Sequence, residues 1–157
     1  MSEKLPPIMC WNVRGLNHPA KRESVCAMAK SLRAAILCLQ ETKIDAWTPQ
    51  LVQEIGGTQL TECIALPAIG TRGGAAILWN KELATIVSHA VGIFAITAKG
   101  HPARTDPAFL AILGLWTSGR CQEGGVPPRA ILLCSTACGA VADKRRFQPF
   151  LRGPGQK

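Results

Sequence analysis

The chain has 157 residues, 47% of them hydrophobic, with a mean hydropathy of +0.14. That is the length of one domain and apolar enough to bury a core, which excludes a disordered charged tail and argues against a multidomain machine. No apolar run reaches the ~18 residues that a membrane span needs, and the opening Met-Ser-Glu-Lys-Leu-Pro-Pro has no apolar stretch behind its charges, so the sequence reads as soluble and not secreted.

In chain order, Ile8 to Val13 is apolar and β-capable apart from Asn12, and a turn-rich exit follows it. Pro19 suits the first turn of a helix, in which Val25, Met28, Ala29 and Leu32 recur at helical spacing while Lys21, Arg22, Lys30 and Arg33 take the other positions. Ala35 to Gln40 predicts a second buried strand that delivers Glu41 where it ends. Pro49 to Ile55 predicts a short helix stopped by Gly56 and Gly57, and Leu60 to Leu66 a further strand. Gly70 to Gly74 predicts a tight turn before strands over Ala75 to Trp79, Ala84 to Val87 and Ile93 to Ala98. The order predicts a mixed α/β fold with helices packed on a sheet, half of a larger sandwich.

The seven cysteines are odd in number and widely spread, unlike a disulfide framework, and most read as small buried hydrophobes. Cys134, Cys138 and His101 could form half a zinc site, but no second pair lies at finger spacing. The net charge of +8 points to an anionic partner, nucleic acid first. Residues 1–100 carry ten Lys/Arg against seven Asp/Glu, a net of +3, and residues 101–157 carry eight against three, a net of +5.

A carboxylate at the end of one core strand, beside an amide at the end of its neighbour, suits Mg²⁺, which takes one or two carboxylate oxygens and keeps several waters. Glu41 could bind such an ion and Asn12 could orient it or a phosphate. Equally, Glu41 could be an exposed loop acid and Asn12 a turn residue bonded to its own backbone.

Three segments bear on that choice. Trp11-Asn-Val-Arg-Gly-Leu-Asn17, Cys38-Leu-Gln-Glu-Thr-Lys43 and Gly70-Thr-Arg-Gly-Gly-Ala-Ala-Ile-Leu-Trp-Asn80 resemble, in order, the opening motifs of the endonuclease/exonuclease/phosphatase superfamily. They are most similar to the endonuclease domain of plant LINE-type (non-LTR) retrotransposons. The resemblance covers about residues 8 to 99 and implies part of a four-layer αββα sandwich of the DNase I-like type, with Mg²⁺-dependent nicking of DNA as the ancestral activity. It puts Asn12 in the active-site asparagine position and Glu41 in the metal-binding glutamate position. Arg14, Lys43 and Arg72 would flank the cleft as phosphate contacts, although each is also an ordinary solvated charge. DNA is the implied partner, in the nucleus or cytoplasm, with no obligate protein partner evident.

The resemblance also implies a later Tyr-Gly-Pro segment, a Gly-Asp-Phe-Asn and a Ser-Asp-His, and none of these occurs; the chain has no Tyr at all. The histidines His18, His89 and His101 match no family position, so the set lacks its general base. Val141 to Pro149 can be encoded as GTG GCT GAT AAA CGG CGA TTT CAA CCT, which read one nucleotide later gives Trp-Leu-Ile-Asn-Gly-Asp-Phe-Asn. The same offset over Ala108 to Gly119 permits Leu-Ser-Trp-Leu-Ser-Trp-Val-Tyr-Gly-Pro-Gln. We therefore expect a frameshift between about Lys99 and Phe109, making 1–99 the N-terminal portion of the domain and 100–157 a frame-shifted, irregular, poorly ordered tail. On that reading the second sheet is largely lost and the apolar face of the first is exposed.

The sequence thus predicts the remnant of a Mg²⁺-dependent DNA endonuclease, inactive as it stands. The alternative is a small basic non-catalytic module that binds nucleic acid through Arg14, Arg72 and Lys144 to Arg146. A third reading, an active compact nuclease, would have to recruit Asp106 or Asp143 as its missing acid.

Overall fold

A computed structural model describes residues 6–70, 73–93 and 95–104, and the backbone of a further strand over 111–116. The elements run β1 (Ile8–Asn12), α1 (Pro19–Ser31), β2 (Ile36–Gln40), α2 (Pro49–Gly56), β3 (Glu62–Leu66), β4 (Ala75–Trp79), β5 (Ala84–Val91), β6 (Ala95–Pro102) and β7 (Ala111–Trp116). β1 and β2 are parallel neighbours, as strands joined through a helix must be when they share a sheet direction. The four-stranded sheet has the order β1-β2-β4-β3, with β2–β4 and β3–β4 antiparallel, and a second antiparallel sheet has the order β5-β6-β7.

Side-chain alternation along the first sheet separates two cores. Met9, Leu37, Leu39, Ala76 and Leu78 face the helices, where they meet Val25 and Ala29 of α1 and Ile55 of α2. Ile36, Cys38, Ile64, Leu66 and Ile77 face the other way, onto Ala84, Ile96 and Ala98 of the second sheet. Because both faces are covered, β2 is an unbroken apolar run, with Ile36 through Leu39 all buried. The layers are helices, sheet, sheet, in agreement with the expected mixed α/β sandwich.

Both helices start where the sequence says they should. The His18 Nδ1 accepts from Ala20 N at 3.2 Å and Pro19 opens α1, while Thr48 Oγ1 accepts from Leu51 N at 3.2 Å and Pro49 opens α2. The buried stripe of α1 differs from expectation. Val25 and Ala29 are buried, but Met28 is 42% and Leu32 37% exposed. The stripe runs instead through position 22, whose arginine turns inward between the helices.

In the second sheet, β5 is longer and β6 later than the sequence predicts. An irregularity between Ile86 and Ser88 leaves Val87 out of the ladder, so the apolar alternation breaks while the strand continues. Ile93, the residue that suggested an early start for β6, is 69% exposed in the turn.

β6 crosses residue 99 and β7 lies wholly beyond it, paired to β6 from Ala95↔Trp116 to Gly100↔Ala111. Strand pairing therefore extends past residue 99 as far as Trp116. The face of the first sheet that was expected to be exposed is covered: Cys38, Ala75 and Ile77 are fully buried. Among the described residues no helix is long and apolar enough to cross a membrane.

Candidate active site at the strand ends

Parallel strands carry their carboxyl ends to one edge of a sheet, and loops leaving that edge are free to gather side chains over it. Here Asn12 is the last residue of β1 and the register partner of Gln40, the last residue of β2. Beyond the strands the two chains remain tied by backbone bonds. Val13 N donates to Gln40 O at 3.0 Å, Gly15 N to Glu41 O at 2.6 Å and Leu16 N to Thr42 O at 2.7 Å. Asn12 and Glu41 thus lie on adjacent strand ends at one edge.

A third loop closes on the same place, because β4 runs antiparallel to β2 and its start faces the end of β2. Lys43 N donates to Gly73 O at 2.7 Å and Thr42 N to Gly74 O at 3.4 Å. Gly73 sits directly on Glu41, and Gly74, at φ +76°, takes the left-handed turn that only glycine adopts freely. Four non-glycine residues among those described have positive φ, and three of them are here: Arg14 (50°), Glu41 (52°) and Lys43 (56°). Such conformations cost about 1–3 kcal/mol each when the surroundings impose them, and they gather at functional sites.

Asn12 is exposed and its Oδ1 accepts from Arg14 N at 3.3 Å, the ordinary turn contact of an asparagine. Glu41 is half-buried, whereas Arg14 and Lys43 are exposed at the same edge. The Lys43 stem lies over Gly15, and its carbonyl accepts from Asn17 Nδ2 at 2.8 Å. Arg72 lies outside the described residues, as do Asp106, Asp143, Cys134, Cys138 and the 144–146 cluster. His101 lies in β6 of the second sheet, where its Nδ1 donates to the Pro102 carbonyl at 2.8 Å.

Two residues of the rim were not legible in the sequence. Lys21 reaches over from α1 and its Nζ donates to the Arg14 carbonyl at 3.3 Å, adding a third cation to the edge. Arg22 donates through Nε to Glu54 Oε2 at 2.6 Å and through one Nη to the carbonyls of Leu16 and Asn17, both at 2.9 Å. It fastens both helices to the loop that in turn bonds Glu41. The signal available was position alone, since 22 lies three before Val25 on the buried stripe.

One half-buried carboxylate, one exposed amide and a ring of cations suit a divalent ion that keeps most of its waters, together with a phosphate. The residues described fit part of such an ion's shell: among them no group of three or more His, Cys, Asp or Glu is gathered as a metal cage.

By sequence, the profile of the "Endonuclease/Exonuclease/phosphatase family" matches residues 9–148, which is most of the chain. No curated protein matches it by sequence. Among solved structures, the chain is similar to TDP2 of D. rerio humanized by 14 mutations, at 18% identity and a TM-score of 0.50, covering 72% of this chain and 48% of that one. It is also similar to ANGEL2, described as a 2',3'-cyclic phosphatase and solved with adenosine-2',3'-vanadate, at 15% identity and a TM-score of 0.51, covering 69% of this chain and 40% of that one. The chain spans about half the length, or less, of these structures. They share its fold, which is of the DNase I-like type.

Proposed function

Because this chain belongs to the endonuclease/exonuclease/phosphatase family, a family of phosphodiesterase and nuclease-type hydrolases, we propose that the edge holding Asn12 and Glu41 is one half of a metal-dependent phosphodiesterase site. The observation that supports this most is the direct tie between the two loops, Gly15 N to Glu41 O, beside the Asn12↔Gln40 register pair. Glu41 is the proposed metal-binding carboxylate, and Mg²⁺ the proposed ion, which when bound would supply the positive charge a phosphodiester needs under attack. With its Oδ1 engaged by Arg14 N, Asn12 offers its amide N–H groups to a phosphate oxygen or to water around the ion. Arg14, Lys43 and, by sequence position, Arg72 are the proposed phosphate contacts, to which the geometry adds Lys21.

DNA is the proposed substrate class and a LINE-type retrotransposon the proposed origin, with the nucleus or cytoplasm as the place of action. The three N-terminal motifs support these readings. The chain as it stands is proposed to be inactive, since it contains no Tyr and no Gly-Asp-Phe-Asn to pair an acid with a base. Permitted codons for Ala108 to Gly119 and Val141 to Pro149 can spell Tyr-Gly-Pro and Gly-Asp-Phe-Asn one nucleotide later, which supports a disrupted frame. The family match reaches residue 148, so the coding DNA decides: codons that cannot spell Tyr-Gly-Pro and Gly-Asp-Phe-Asn one nucleotide later would refute it.

Metal binding tests the half-site without asking for turnover. Mn²⁺ titrated into the full chain, followed by electron paramagnetic resonance, should show bound ion that Glu41→Gln removes; equal binding by both chains would contradict the assignment. The alternative, a non-catalytic nucleic-acid-binding module, is favoured by the three exposed or outward-reaching cations Arg14, Lys21 and Lys43 around one edge. It predicts metal-independent binding of duplex DNA that weakens steeply as salt rises.

A further inference from the structure

Cys10 and Cys38 are register partners on the parallel pair β1–β2. Neighbouring strands lie about 4.8 Å apart, inside the roughly 4.4–6.8 Å between Cα atoms that a disulfide spans. Register partners in a parallel pair project to the same face, and both thiols face the second sheet, in the cluster that also holds Ile36, Ile64 and Ile77. The two thiols interact across the strand pair.

The two sulfurs are not equivalent. Cys38 is fully buried on an interior strand, and the hydrogen bond it donates to Cys10, together with burial, holds its thiol well above the usual range. Cys10 is on β1, the edge of the sheet among the described residues, and is only partly buried. The Cys38 thiol donating to it lowers its pKa, against a smaller opposing effect of burial. Cys63, by contrast, lies on β3 and faces the helices, and Cys26 lies on α1. Neither shares a register pair with another cysteine.

We propose that Cys10 and Cys38 are a reversible thiol pair that a small disulfide such as glutathione disulfide oxidises to an intrachain bond. The Cys10 thiolate attacks one sulfur of the small disulfide, forming a mixed disulfide and expelling one thiolate. The Cys38 thiol loses its proton and its sulfur attacks Cys10, expelling the second thiolate. Two protein thiols and one small disulfide give one protein disulfide and two small thiols. The strand spacing puts the two Cα atoms near the short end of the disulfide range, and a bond made under constraint stays easy to reduce. The pair lies two residues before Asn12 and three before Glu41. Its effect on that edge rests on the function proposed above, whereas the thiol chemistry stands apart from it.

The test uses the full chain with all seven cysteines. It is incubated folded with glutathione disulfide, alkylated in denaturant and digested for mass mapping. A Cys10–Cys38 link is expected, with the mass of two hydrogens lost and regained on reduction. In Cys38→Ala the reaction should stop at glutathione on Cys10, and in Cys10→Ala no glutathione should appear on Cys38. The proposal is overturned if both cysteines of the wild-type chain are recovered alkylated, if Cys10 keeps glutathione without closing, or if links scatter over the cysteines as in the unfolded chain. The wild-type map alone decides should either variant fail to fold. No metal or nucleic acid enters the assay, so its failure and that of the phosphodiesterase reading are distinguishable.

Discussion

Gly73 lies so close to Glu41 that a Cβ built on it would stand 3.2 Å from both Cα and Cγ of the acid. The glycine is buried, its φ is not in the left-handed range, and its carbonyl accepts from Lys43 N at 2.7 Å. An added methyl would therefore act through space alone. Gly73→Ala should push the Glu41 backbone and cost about 1–3 kcal/mol in urea unfolding, the usual range for overpacking. An unchanged midpoint would show that the two loops are not in contact.

Gly74 and Gly70 separate conformation from space. Both have positive φ, but a Cβ on Gly74 would meet Thr42 Oγ1 at 2.9 Å and the backbone of Ala68 and Leu66 at 3.0 Å, whereas one on Gly70 meets nothing within 4 Å. Gly70→Ala should cost about 1 kcal/mol, the backbone penalty, and Gly74→Ala at least about 1 kcal/mol more. Equal costs in the same unfolding experiment would refute the packing of this turn.

The Arg22 guanidinium carries more than its ion pair. Glu54 is 38% exposed, so Glu54→Gln should cost no more than about 1 kcal/mol, as surface pairs do. Arg22→Ala also removes the donor to the carbonyl of Leu16, in a partly buried bond, and to that of Asn17, and should cost about 2–3 kcal/mol. Thermal unfolding of the two variants side by side checks the ranking; the reverse order would place the arginine's role in the salt bridge.

Alkaline pH should weaken the fold through Cys63. Burial pushes its thiol up to about 12, above the ~8.5 of an unfolded cysteine. A folded pKa raised above the unfolded one gives stability that is complete below ~8.5 and lost as pH climbs from there toward 12. Cys63→Ala should flatten the fall of the urea midpoint with pH over that interval. A parallel fall in both chains would remove Cys63 as a cause.

The strand ends were legible because chemistry and pattern coincide there. The apolar run through Leu39 stops at Gln40, which puts Glu41 at the edge, and the β4 range Ala75–Trp79 follows from the glycines before it. Where a residue's type and its place disagree, the pattern misleads. Arg22 is charged yet faces inward, Met28 is apolar yet exposed, and Val87 belongs to a strand without pairing in it. Gly73 and Lys21 were illegible as site residues because their meaning lies in contacts between segments far apart in the chain. The strand β7 went unread because the stretch holding it shows no sustained period.

Conversion of supercoiled plasmid to the nicked form is the most direct measure of the half-site account. The full chain with Mg²⁺, beside Glu41→Ala, should leave the plasmid supercoiled in both cases, since this chain contains neither Tyr nor Gly-Asp-Phe-Asn to complete the chemistry. Nicking by the wild-type chain that disappears in Glu41→Ala would contradict it and show a working nuclease.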